Sequence, residues 1–401
     1  MRRVRERSAA ALLILFLVNV LNFYDRLVLG AVLEPIRREF ALSDTQLGAM
    51  VTLFTLVFAL AGLPAGNLAD RRGRRGLLAA AMAVWAGLTA LAGVASSYAL
   101  LLLTRLGVGF GEAVCTPAAT SWIGDSVPPE RRSRAMAWFM MAVPVGGLLS
   151  FGIGGPVAQA CGWRIAMAVA AAPALLLIPA VLWLREPPRT KRQPGSVAAW
   201  KPDAAFWWIA ASGAAINFGL YAFSTFLPAM LTRYHGLSVA SAGLWMGIGT
   251  GISGIAGACT AGAVGDRVPS KLHLTAILMA LAALPMFAAL RVSPGGATLA
   301  VVLAMAAYGL MQTYYGLVYA SIHDLTPPDT RGRAMSVYLL VTYLGGASWG
   351  PVATGKLSDW LARSAGRAAG LHDAMYVVPI LSAVVAAMLW RAGREARPPR
   401  T

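Results

Sequence analysis

A chain of 401 residues that is 58% hydrophobic and only 13% charged lies outside the composition of water-soluble globular domains. Its net charge of +17 would suit nucleic acid, yet the 34 lysines and arginines sit in short segments between long apolar runs and build no single basic face. Three scattered cysteines, Cys115, Cys161 and Cys259, lack ligand spacing and imply neither a disulfide framework nor a metal site.

Taken in chain order, the N-terminal RRVRER precedes an apolar run that carries Asn19, Asn22, Asp25 and Arg26. No small-residue cleavage site follows, so this is read as an uncleaved first span rather than a signal peptide. Further apolar runs lie near 46–67, 77–96, 98–122, 135–158 and 163–184. Each approaches the roughly 20 residues that cross the hydrocarbon of a bilayer. Residues 34–45 read as a short outer helix leading into span 2, with Ser43 or Asp44 as its cap. The segment REPPRTKRQPGSVAAWKPD (185–203) is the longest polar stretch and reads as a cytoplasmic linker. Six more runs follow, near 204–228, 240–264, 272–290, 297–320, 334–355 and 374–391, with a second outer loop at 359–372. The expected organisation is therefore an N-terminal six-helix bundle (1–184), a linker (185–203) and a C-terminal six-helix bundle (204–401).

The basic residues orient this arrangement. With the N-terminus inside, 24 of the 34 lysines and arginines fall on inner segments and 8 on outer ones, while Arg26 and Arg105 lie within spans. That is the positive-inside rule, and it places both termini in the cytoplasm. An Ala- and Arg-rich, Lys-poor composition suggests a GC-rich bacterial genome, so the expected location of this multi-pass chain is a bacterial inner membrane.

Two motifs recur. GNLADRRGRRG (66–76), a basic turn between spans 2 and 3, is echoed by GAVGDR (262–267), which pairs Gly66 with Gly262 and Asp70 with Asp266. DSVPPERRSRAM (125–136) aligns with DLTPPDTRGRAM (324–335), with seven of twelve positions identical. Two independent echoes at nearly one spacing indicate a tandem duplication. Duplicated halves are the signature of transporters that rock one half against the other. In the turns, Gly66 allows close approach and Gly73 permits the bend. Asp70 and Asp266 are placed to accept from the free N–H groups at the starts of spans 11 and 5. Arg71, Arg74 and Arg267 complete this expected cytoplasmic gate.

Asp25, Arg26, Arg105 and Glu112 fall inside spans 1 and 4 and balance to zero charge. A mid-span charge costs about 2.5–3.5 kcal/mol even on the mild insertion scale, so four of them mark function. Asp25 and Glu112 are the candidate proton-coupling acids. Arg26 and Arg105 are the candidate charge partners and head-group ligands. Arg105 and Glu112, seven apart, share a helix face, and a pair between them could orient helices 1 and 4. In the second half, Tyr308, Gln312, Tyr315 and Tyr319 recur on one face of span 10, and Asn217, Tyr221 and Ser224 on one face of span 7. With Asn19 and Asn22 they are the candidate cavity lining. His323, alone at the end of span 10, reads as structural.

The GNLADRRGRR string resembles the signature between spans 2 and 3 of the major facilitator superfamily. The fold expected is therefore all-α: twelve transmembrane helices in two pseudo-symmetric six-helix bundles. GIGGP (152–156) and GGASWGP (345–351) look like degenerate forms of the glycine-proline motif of antiporters. NVLNFYDR (19–26), RLGVGFGEA (105–113) and PPERRSRAMAWFMMAVPVGG (128–147) look like the corresponding segments of spinster-type facilitators, a branch that includes carriers of sphingoid and lysophospholipid amphiphiles. The resemblance implies that Asp25 is the proton-site acid, with Arg26, Arg105 and Glu112 as its partners. The closeness is confined to the N-terminal half.

No G-x-S-x-G, Walker loop or H-E-x-x-H is visible, which argues against a membrane-embedded hydrolase or an ATP-driven pump and for a protein that is not an enzyme. The expected activity is secondary, proton-coupled transport of a lysophospholipid-like or sphingoid amphiphile. Alternatives are proton-coupled transport of organic or aromatic carboxylates, and a transporter-like sensor without turnover. Expected partners are a small amphiphilic or anionic substrate and the bilayer, with no nucleic acid and no cofactor beyond protons, and the chain is expected to act as a monomer.

Overall fold

The computed structural model describes residues 2–71, 73–187, 202–265, 267–327 and 330–396; the side chains of residues 2–9, 63, 66–67, 69–71, 129–130 and 133 are outside that description. The apolar runs become helices α1 (Arg2–Phe40), α2 (Asp44–Arg71), α3 (Arg74–Ala92), α4 (Tyr98–Ser126), α5 (Pro129–Met140), α6 (Ala142–Cys161), α7 (Trp163–Trp183) and α8 (Ala204–Arg233). They continue as α9 (Val239–Gly265), α10 (Lys271–Leu290), α11 (Ala297–Leu325), α12 (Arg331–Thr342), α13 (Gly350–Ala365), α14 (Arg367–Ala374) and α15 (Val377–Glu395). Among the described residues there is no strand, as expected where every backbone group in lipid must be paired within its own segment.

Local signals explain the helix starts. Ser97 accepts from the Leu100 amide at 3.3 Å and Asp203 from the Phe206 amide at 2.8 Å, each satisfying an orphan N–H of the first turn. Both halves of the duplicated PP segment end in a helix start: Pro128 precedes α5 and Thr330 precedes α12. The repeat extends to side chains. Arg132 Nε donates to the Val127 carbonyl at 3.4 Å, and its repeat partner Arg331 donates to the Thr326 carbonyl at 3.3 Å.

Eleven helices among the described residues are long and apolar enough to cross a membrane. The expected span at 334–355 differs. It is interrupted by a π-helical turn, Tyr343–Ala347, between α12 and α13, and the Ser348 amide reaches back to the Tyr343 carbonyl at 3.0 Å. A π turn of this kind absorbs an extra residue and is frequent at functional sites. The glycines of GGASWGP explain its tolerance here. A Cβ on Gly346 would collide with the Ala214 carbonyl, and one on Gly350 with that of Phe218, so both keep this segment tight against α8.

Two further expectations are corrected. Residues 34–40 are no separate outer helix but the last turns of α1, which ends at Ala41 (φ 51°). Residues 359–372 are not a loop; they complete α13 and most of α14, with the bend at Gly366 (φ 83°). Ser43 does cap α2, in a reciprocal box: its hydroxyl accepts from the Gln46 amide at 3.2 Å while Gln46 Oε1 accepts from the Ser43 amide at 2.9 Å. Asp44 instead pairs with Arg233 at 2.8 Å.

The chain groups into two compact units. One comprises Met1–Leu42, Leu53–Lys191 and Ser238–Gly247, the other Ser43–Thr52, Arg192–Leu237 and Ile248–Thr401. In the first, Trp85, Trp122, Phe139 and Phe151 are the largest apolar side chains fully buried; in the second, Tyr314, Tyr338, Phe223 and Phe226 are.

Candidate functional site

The first unit places all four intramembrane charges together, but not in the pairs that spacing suggested. Arg26 on α1 binds Glu112 on α4, with Nε at 3.1 Å and the terminal nitrogen at 3.0 Å from the same carboxylate oxygen. Arg26 also donates to Asn22 Oδ1 at 3.2 Å, one turn back on α1. Arg105 on α4 lies 3.9 Å from Asp25 on α1 and donates to the Thr89 hydroxyl of α3 at 3.2 Å. The expected Arg105–Glu112 pair is thus replaced by two cross-helix pairs. Seven residues along one helix separate side chains by about 10 Å, beyond hydrogen-bond reach, while consecutive Asp25 and Arg26 point about 100° apart and address different partners.

Asp25 and Glu112 have no solvent exposure, and Arg105 is nearly as buried. Both Asp25 oxygens and Glu112 Oε1 lack a hydrogen-bond partner, as do Arg105 Nε and Asn22 Nδ2. Buried polar atoms left without partners are costly, which sets this cluster apart from an ordinary structural ion pair. Asp25 lies at the limit of ion-pair distance from Arg105. Thr89 and Glu112 also face it. Asn19 takes a different role from the one expected: its Nδ2 donates to the Phe139 carbonyl at 3.2 Å and ties α1 to α5.

The polar stripes of the second unit, Asn217, Tyr221 and Ser224 on α8 and Tyr308, Gln312, Tyr315 and Tyr319 on α11, are built of neutral groups. Tyr308, Gln312, Tyr315 and Tyr319 are half-buried along one face of α11. Tyr315 donates to Asn217 Oδ1 at 2.9 Å, and Asn217 Nδ2 donates to the Gly213 carbonyl at 2.9 Å. Tyr308 stacks on Phe223 with ring centres 5.4 Å apart. Tyr221 meets Tyr343 edge-on at 6.4 Å, and Tyr319 meets Tyr338 at 5.7 Å. Ser224 is half-buried. Sequence reasoning missed Ser212, Tyr314, Tyr338 and Tyr343. Ser212 and Tyr314 share a 2.8 Å hydrogen bond, and the Tyr338 hydroxyl reaches that of Tyr314 at 3.3 Å. Tyr314 sits beside Tyr315 in the chain and was passed over because it lies off the stripe; Tyr343 opens the π turn and Tyr338 lies five residues before it, and no periodicity reveals the position of that turn.

Of the expected gate, Asp266 and the side chains of Gly66, Asp70 and Arg71 lie outside the described residues. Arg267 is exposed. Gly73 has φ −58° and ψ 117°, open to any residue, so the turn does not need glycine conformational freedom there. Arg74 is the informative member. It is almost fully buried and binds Asp125 at 2.6 Å and Glu186 at 3.0 Å. Glu186 also accepts from the Arg74 amide at 3.0 Å and so caps α3. Burial pushes the Glu186 carboxyl up, but the Arg74 and Arg75 amides and the Arg74 guanidinium outweigh it and hold the group below the usual carboxylate range.

A bundle of membrane-spanning helices with a duplicated turn, a buried balanced charge quartet in one half and an aromatic hydroxyl wall in the other defines a multi-pass transporter of small solutes, not an enzyme. The model of the Major Facilitator Superfamily matches residues 15–351, and the chain belongs to that family. An MFS-type efflux pump of Mycolicibacterium smegmatis is 31% identical over 98% of this chain and 94% of its own length. The hexuronate transporter of Bacillus subtilis is 27% identical over 87% of each chain. Among solved structures, a bacterial homolog of the human lysosomal transporter Spinster superposes with a TM-score of 0.87 and 25% identity, covering 98% of this chain and 99% of that one.

Proposed function

We propose that this chain is a proton-coupled carrier of an amphiphile with an anionic or zwitterionic head, working by alternating access with both termini in the cytoplasm. The observation that carries the reading is the quartet: two carboxyl groups and two guanidinium groups gathered in one unit, with both Asp25 oxygens, Glu112 Oε1 and Arg105 Nε buried without a hydrogen-bond partner. Asp25, 3.9 Å from Arg105, is the proton carrier in this reading. Protonation would release Arg105, and deprotonation would recapture it. Guanidinium groups grip phosphate or carboxylate through paired N–H donors, which suits an anionic head. Tyr308, Tyr315 and Tyr319 with Phe223 offer flat apolar faces for a chain or ring. The resemblance of segments 19–26, 105–113 and 128–147 to spinster-type facilitators is what favours the lipid-like class.

A second reading, transport of an organic acid, is favoured by the likeness to a hexuronate transporter. The same arginines would bind the carboxylate, and the scarcity of Asn and Gln on the α8 and α11 stripes is what speaks against a sugar ring.

Reconstituted protein should move a lysophospholipid with accompanying proton flux, and Asp25→Asn should abolish acceleration by a pH gradient while leaving the protein folded. Unchanged proton dependence in that variant would move the coupling site elsewhere. Flux of galacturonate without any response to lysophospholipids would replace the amphiphile reading by the second one. Reporter fusions at 195 and 365 should give opposite sidedness; equal sidedness would remove the proposed topology.

A further inference from the structure

Arg26 is held in two ways that use different parts of the guanidinium. Its N–H edge faces Glu112 and Asn22. Its flat face lies among three phenylalanine rings: the guanidinium carbon is 4.2 Å from the centre of Phe58, 4.8 Å from Phe23 and 5.6 Å from Phe54. Phe23 is one turn before Arg26 on α1. Phe54 and Phe58 are one turn apart on α2, their rings stacked with centres 6.1 Å apart. Gly109 secures the arrangement: a Cβ there would lie 2.6 Å from the Phe54 carbonyl, so α4 and α2 meet at backbone contact and Phe54 is fixed beside the charge.

Aromatic faces attract a cation without consuming its N–H donors. The box therefore continues to hold the guanidinium when its carboxylate partner is neutral or displaced. Glu112 faces Arg26 and Asp25 from α1 and Cys115 on its own helix, with the Trp85 indole of α3 beside Cys115. Arg26 is the cation that binds Glu112, at 3.0 Å.

We propose that Phe23, Phe54 and Phe58 are positioning residues that keep Arg26 a fixed, charged anion receptor, and that the substrate's phosphate or carboxylate takes the place of Glu112 on it. This rests on the proposed transport of a molecule with an anionic group. It adds a specific claim: the head group exchanges with an internal carboxylate at one immobile cation, and the rings, not the carboxylate, hold that cation in place during the exchange.

The test uses full-length protein in detergent and three ligands: lysophosphatidylglycerol, uncharged monoacylglycerol of the same chain length, and galacturonate. Glu112→Gln should tighten binding of an anionic ligand, because the internal competitor is gone. In that background Phe58→Leu should weaken anion binding about tenfold, within the range of a desolvated cation–π contact, while Phe58→Trp restores it. Monoacylglycerol binding should change little. If Phe58→Leu does not fold, Phe23→Leu in the same background gives the same reading. Retention of Glu112→Gln affinity in the leucine variants would overturn the proposal, as would an equal loss for monoacylglycerol, which would mean simple packing. Failure of Glu112→Gln to bind either anion would overturn it too. Binding of galacturonate but not lysophosphatidylglycerol, still weakened by Phe58→Leu, would sustain the box and remove only the amphiphile reading. Tight lysophosphatidylglycerol binding indifferent to Phe58 would do the reverse.

Discussion

In the first half of the chain Arg74, at the start of α3, meets Asp125, near the end of α4, at 2.6 Å; in the second half Lys271, at the start of α10, meets Asp324, near the end of α11, at the same distance. Asp125 and Asp324 are equivalent positions of the duplicated segment. The settings differ. The Arg74 side chain is 1% exposed and Asp125 17%, and Glu186 adds a second carboxylate. Lys271 is 23% exposed and Asp324 60%. Duplication supplied one contact twice, and only the first copy was buried and elaborated. Arginine suits the buried copy because its fork can serve two carboxylates at once, which an ammonium does less well.

The contrast predicts unequal sensitivity. Arg74→Met leaves Asp125 and Glu186 facing each other without their cation, and breaking a buried pair of this kind costs about 3 kcal/mol. Lys271→Met removes a partly solvated pair worth less than about 1 kcal/mol. Thermal unfolding in detergent should show a large drop for the first and a small one for the second. Equal drops would mean that the two copies still do the same work.

The two polar clusters diverge in the same sense: the one on α1 and α4 is charged, the one on α8 and α11 is built of neutral groups. Tyr314→Phe deprives the Ser212 and Tyr338 hydroxyls of a shared buried partner, an expected loss of about 1–2 kcal/mol. Tyr315→Phe strands one buried acceptor, Asn217 Oδ1, rather than two hydroxyls. It should lower the unfolding temperature less than Tyr314→Phe does and raise the KM for substrate. A stability loss as large as that of Tyr314→Phe would make Tyr315 part of the scaffold and not of the wall.

Much of this was legible in the chain. The echoes at 66–76 and 125–136 gave the duplication, and the mid-span charges gave the membership of the quartet. The pairing within it was not legible, because it depends on how α1 and α4 are rotated about their axes, which is a product of packing. Arg26 could have been assigned to Asp25's environment or to Glu112 with equal reason from spacing alone. The α12–α13 interruption escaped because a π turn preserves an apolar run while shifting its phase. Glu186 escaped because it stands in a segment whose composition says linker, although its second role is to cap a helix more than a hundred residues earlier.

That second role gives the finest test of the first half's elaboration. Glu186 is held below its ordinary carboxylate range by the Arg74 contacts and by amides of α3. A group whose folded pKa is depressed stabilises the fold fully above its unfolded pKa and loses that contribution as pH falls through the folded value. The wild-type unfolding temperature should therefore decline on acidification through the carboxylate range. Glu186→Gln keeps an acceptor for the α3 amides but has no charge to lose, so its stability should be lower by about 1 kcal/mol at neutral pH, as for loss of a charged cap, and should flatten relative to wild type in acid. The two curves should converge as Glu186 becomes protonated. Parallel curves would mean that Glu186 contributes only a hydrogen-bond acceptor and that Asp125 alone balances the buried Arg74.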